Sequence, residues 1–286
     1  MWIAFLLLAV GEGDAQAARQ GDAWRAESLS FVVRNYSSRH DAREVAAHCE
    51  KWKARLQTYW CGQPAEAWSP RCEIVVHRGQ REYLTAVGSG AAQTYGSSWL
   101  DFGKDKRVSK RQIDLRGDSD LGLAALAHEM THVIVADLLD ARQPPRWADE
   151  GMATLADTHD KQLLHERDLS TGLAARQAFR MGDLLTLDGY PHPSRVAAFY
   201  GQSVSVTAFL AGRDDPAKFV EFLRRALDHG HDRALREVYA IDGISHLERL
   251  WHEQRSTSRT GFHGLRLTLD ETPQDESPRN KAAQTP

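Results

Sequence analysis

Residues 28–35 alternate apolar and polar positions, which predicts a strand carrying Phe31 and Val33 on one face. The period then lengthens. Val45, Cys49, Trp52 and Leu56 recur at helical spacing, and Asp41 stands where it can cap a helix over 41–60. Short apolar runs predict a strand over 72–77 and a helix over 80–87, then strands over 94–102 and 108–115 joined by a turn at 103–106. A helix running to about residue 139 follows, with Asp118 or Asp120 as its cap. Leu121, Ala124, Ala125, His128, His132, Val135 and Leu139 share one broad face of it, expected to be buried. Pro144-Pro145 cannot continue that helix, so the chain turns after residues 140–142 and a second helix covers 146–157. Beyond it the period is helical over 163–168, 201–210, 216–228, 232–239 and 244–254. Strands first and helices later is an α+β order. One domain is expected over 28–255, with a strand-containing half (28–142) and a helical half (143–255), then a polar tail over 256–286.

Within the first long apolar helix stands His128-Glu129-Met130-Thr131-His132. Residues four apart in a helix share a face, so His128 and His132 can turn two imidazoles toward one cation. Two unmetallated histidines make a poor core, because both ring nitrogens of each would need partners. A catalytic Zn²⁺ takes three protein ligands and leaves one position for water, and Glu129 is placed to accept that water's proton. The helix after Pro144-Pro145 offers Asp149 and Glu150. Glu150 is the candidate third ligand and Asp149 its rival, since adjacent helical residues point about 100° apart. A carboxylate pair near a helix N-terminus is also what the helix dipole favours without any metal. Trp147 is expected to pack beneath the site.

These blocks, 126–133 and 145–153, resemble the gluzincin zinc metallopeptidases, in particular the peptidase MA-like families of secreted bacterial proteins. A weaker likeness extends through Phe199-Tyr200-Gly201-Gln202-Ser203, so that about 28–254 is covered. The resemblance implies a zincin-like fold with a small sheet, one Zn²⁺ per chain on His128, His132 and Glu150, and Glu129 as general base. It places Tyr200 where a donor to the oxyanion is needed, although Tyr200 also reads as a core aromatic against Phe199 or Phe209. His192 is the alternative donor. Arg195 and Gln202 are candidates for a substrate carboxylate or carbonyl. Thermolysin-type gluzincins often carry an Asp one helical turn after the third ligand, to orient a histidine. Thr154 stands there, and Asp157 is the nearest carboxylate further on.

Composition narrows the partners. The 286 residues are 42% hydrophobic with a net charge of -3, which suits a folded enzyme and argues against nucleic acid as a partner. Apolar residues at the start of the chain, followed by Ala15-Gln16-Ala17, predict a signal peptide over 1–17 and an exported protein. No other stretch reads as a membrane span. Cys49, Cys61 and Cys72 allow at most one disulfide, with Cys61–Cys72 or Cys49–Cys72 as pairings and three free thiols as the alternative. The expected activity is hydrolysis of a peptide or protein substrate. The alternative is an inactive, metal-containing binding protein of the exported compartment, which would have no use for Glu129.

Overall fold

Val33, Ile74 and Ile113 lie side by side on neighbouring strands, each fully buried. They mark the centre of a six-stranded mixed sheet in the computed structural model, which describes residues 17–64, 66–140 and 142–257. The strands are β1 (Ala17–Gln20), β2 (Ala23–Glu27), β3 (Phe31–Asn35), β4 (Cys72–His77), β5 (Gly96–Phe102) and β6 (Val108–Arg116), in the order β1-β2-β3-β4-β6-β5. The pairs β3–β4 and β4–β6 are parallel, and the remaining pairs are antiparallel. A parallel pair needs a crossover. Between β3 and β4 it is α1 (Ala42–Cys61), capped by the Asp41 carboxylate, which accepts from Arg43 N, and ended by Gly62 at φ 76°. Between β4 and β6 it is α2 (Gln80–Val87) together with β5. β6 is therefore internal, and β5 is an edge.

The chain continues through α3 (Asp120–Ala124), α4 (Leu126–Leu138), α5 (Arg146–Leu155), α6 (His159–Ala174), α7 (Met181–Leu185), α8 (Val196–Ala211), α9 (Pro216–His229), α10 (His231–Tyr239) and α11 (Ile244–Thr257). The α+β order holds. β1 and β2 lie before the first strand the alternation predicts, and α7 is too short to register as a helical period. The expected active-site helix is two pieces separated at Ala125. Its cap is Ser119, which accepts from Leu121 N, and neither Asp118 nor Asp120. Asp118 is held elsewhere, by the Arg116 guanidinium and Gln80 N.

Two apolar cores meet at α4. On the sheet side, Leu126, Met130, Val133 and Ile134 pack with Val45, Cys49 and Leu56 of α1 against Phe31, Val33, Ile74 and Ile113. On the helical side, Val135 and Leu139 join Trp147, Met152, Phe199, Leu210, Phe219 and Trp251. Each buried large side chain contributes roughly 1.5–3 kcal/mol, so α4 is fixed from both sides. The face expected to be wholly buried is not: Leu121 is 52% exposed, and the burial centres on Met130 and Val133, turned away from the histidines. Residues 120–138 are long and apolar enough to cross a membrane, beyond what the sequence reading allowed, and here they lie between the two cores. All three cysteines are free; Cys61 packs on the helical core, whereas Cys49 and Cys72 lie in the sheet core. The expected leader lies outside the described residues except Ala17, which opens β1, and the tail beyond Thr257 lies outside them too.

Candidate metal centre

α4 and α5 bring three donors together. One atom each from His128, His132 and Glu150 lies within 4.8 Å of the others, and among the described residues this is the one His/Cys/Asp/Glu cluster so arranged. Two helices with an apolar underside explain the convergence. Trp147, Ala148 and Met152 bury one side of α5 in the helical core, which turns Asp149 and Glu150 toward α4. Gly151 lets α5 approach α8, because a Cβ there would collide with Thr207 Oγ1 and lie 2.7 Å from the Ser203 carbonyl.

Each imidazole is oriented from behind. His132 Nδ1 is 2.7 Å from Asp149 Oδ1, and His128 Nδ1 is 3.2 Å from Asp157 Oδ2. These bonds leave both Nε2 atoms facing the centre, as metal-ligating histidines require. Asp149, the rival ligand, thus serves the site without turning its carboxylate to the centre. Thr154 is buried and makes no such contact; Asp157 supplies the carboxylate one turn later, with Lys161 on its other oxygen at 3.0 Å.

Charge in the cluster is strongly coupled. Burial opposes a charged His132, but the Asp149 carboxylate, with Glu150 and Glu129 behind it, outweighs burial and pushes the imidazole up to about 10. Burial likewise opposes ionisation of Asp149 and Asp157, and the adjacent imidazoles reverse it, so both carboxyls sit below the usual range. The centre therefore attracts positive charge. Glu150 is 2% exposed; its Oε1 accepts from Tyr190 Oη, while its Oε2 is buried without a hydrogen bond, 3.7 Å from His128 Nε2. An unpartnered buried carboxylate oxygen costs several kcal/mol unless something cationic meets it. Two imidazole nitrogens and that oxygen are the donor set zinc takes.

Glu129, next to His128 in the first turn of α4, faces a cleft of about 540 Å³. Its Oε2 accepts from Ser98 Oγ at 2.9 Å, and its Cγ occupies the space a Cβ would fill at Gly96, 2.7 Å away. β5 lines the cleft through Gly96, Ser98, Leu100 and Phe102, and Arg142, Pro144 and Arg146 line it as well.

Tyr200 lines the cleft from α8, where it stacks on His165 with ring centroids 5.5 Å apart and meets Phe199 edge-on. It is both a cleft residue and part of an aromatic cluster. His192 is not among the residues that line the cleft; its Nδ1 takes up the Ser194 N–H and hydroxyl. Arg195 and Gln202 are structural: Arg195 donates to the carbonyls of Gln177 and Ala178, and the Gln202 amide closes on both backbone groups of Phe179. Sequence reasoning overlooked Tyr190, Ser98 and Gly96. Tyr190 lies in a loop with no periodicity, 40 residues beyond the carboxylate it touches. A strand over 94–102 puts Gly96 and Ser98 on one face by its period of two, but that period does not say which helix the face meets. Neither a protein-family model nor a curated protein sequence matches the chain.

Proposed function

We propose that this chain is a zinc-dependent metallopeptidase of the gluzincin type, with a zincin-like fold and one Zn²⁺ per chain. The observation that carries the reading is Glu150 Oε2, a buried carboxylate oxygen without a hydrogen-bond partner that closes a triangle of donors with His128 and His132. When bound there, zinc supplies Lewis-acid chemistry and lowers the pKa of a water toward ~7. Asp149 and Asp157 hold the two rings in the tautomer that leaves Nε2 unprotonated. Glu129 takes a proton from the attacking water and delivers it to the leaving amine, with Ser98 fixing the carboxylate. Tyr200 donates to the oxygen of the former carbonyl, where negative charge develops. Leu100 and Phe102 with the β5 edge offer an extended peptide backbone partners and apolar contact, since β5 has a neighbour on one side only. Export is part of the proposal, motivated by the apolar start of the chain and Ala15-Gln16-Ala17.

Metal analysis of the purified wild type and Glu150→Ala tests the centre: about one zinc per wild-type chain and a large loss in the variant are expected, and near-zero zinc in both would refute it. Incubation with a diverse peptide library, read by mass spectrometry with Glu129→Gln as control, tests the activity. Zinc-loaded wild type that cleaves nothing the control spares would favour the non-catalytic binding protein instead. That reading has less support, because a structural metal has no use for a carboxylate held over an open cleft.

A further inference from the structure

Tyr190 is half-exposed at 55%, in the loop between α7 and α8, directly after Gly189 at φ +89°. An exposed phenol adds little to folding through burial, yet three neighbours hold this ring in place. Phe199 meets it edge-on at 6.2 Å between centroids, Tyr200 lies tilted at 6.4 Å, and the Arg146 guanidinium sits 5.0 Å over its face. The ring so held aims one polar atom at the site: its hydroxyl donates to Glu150 Oε1.

The two oxygens of a carboxylate are chemically equivalent, so a glutamate ligand can bind a cation through one or both, or exchange them. A hydroxyl donated to Oε1 breaks that equivalence. It lowers the electron density of Oε1 and fixes the carboxylate plane, and the oxygen left for a cation is Oε2, which faces His128 Nε2. Arg146 adds to the bias, since its Nη1 lies 3.9 Å from Oε1.

We propose that Tyr190 is a positioning residue for Glu150: its hydroxyl occupies Oε1 and so presents Oε2 alone to the cation held with His128 and His132. The inference rests on the metal reading above and extends it to a residue with no place in the sequence motifs.

The test is titration of the metal-free protein with Co²⁺, followed by visible absorption, and by chelator competition for the dissociation constant. Tyr190→Phe keeps the ring and removes only the hydroxyl, and far-UV circular dichroism checks that it folds. The variant is expected to bind Co²⁺ about 10–100-fold more weakly, the range for loss of a partner that orients a ligand. Its absorption bands should also shift as both carboxylate oxygens become available. Unchanged affinity and spectrum in Tyr190→Phe, with wild type binding normally, would overturn this inference and leave the metal centre standing. A wild type that takes up no Co²⁺ would overturn the metal centre, and the role of Tyr190 with it.

Discussion

Asp149 Oδ1 lies 2.7 Å from His132 Nδ1, although Asp149 immediately precedes the residue that turns its own carboxylate to the centre. Adjacent helical residues do point about 100° apart, but His132 on α4 faces both across the gap to α5: its Nδ1 meets Asp149, and its ligand atom lies within 4.8 Å of that of Glu150. The two carboxylates divide the work: Asp149 fixes the ring and Glu150 faces the site. Asp149→Asn should therefore weaken zinc about 10–100-fold while the fold persists, measured by chelator competition. Affinity equal to wild type would mean the bond does not orient the ring.

Glu129→Gln retains the three candidate ligands and loses the base. Peptide cleavage should fall to background while zinc content stays near one per chain. Full activity on a cleaved substrate would refute the mechanism.

Gly96→Ala tests the geometry from the strand side. A Cβ at Gly96 would lie 2.7 Å from Glu129 Cγ and 3.2 Å from Ala125 Cβ, so Glu129 must shift. A displacement of this size at a catalytic group costs about 100-fold in turnover. Steady-state kinetics should show that loss in kcat, with zinc content unchanged.

Tyr200→Phe should lower kcat by about 10²–10³, the magnitude for one donor to an oxyanion, with zinc retained. An unchanged kcat would assign Tyr200 to its stack with His165 alone.

The pH dependence of stability has a component far from the site. His231 is largely buried, tilted against Phe222, with Nε2 lacking a partner. Burial holds its imidazole below the ordinary 6.5, against the pull of Asp232. The unfolded chain takes up a proton as pH falls through about 6.5, while the folded ring resists it. This contribution is thus present in full above that pH and lost progressively below it. His165, lowered chiefly by burial as well, acts in the same direction. His231→Phe keeps a ring against Phe222 and should lose less stability between pH 7.5 and 5 than wild type, measured by urea midpoints. Equal losses would exclude His231 as a source.

Local order determined what the sequence could reveal. The spacing of His128 and His132 and the cap at Asp41 depend on neighbours within a helical turn, and the strand over 72–77 on a short apolar run; these were legible. Pro144-Pro145 likewise announced the break that places Glu150 on a new helix. Only the tertiary structure decided which carboxylate does what. Asp149, Glu150 and Asp157 are alike in sequence terms, and their roles follow from how the apolar side of α5 seats against α8 and turns each toward α4. Ser98, Gly96 and Tyr190 reach the centre from a strand edge and a loop, 31, 33 and 40 residues from their partners. No local period encodes such distances. They are set by the burial that closes α4 between two cores, which fixes the positions of groups that have no contact along the chain.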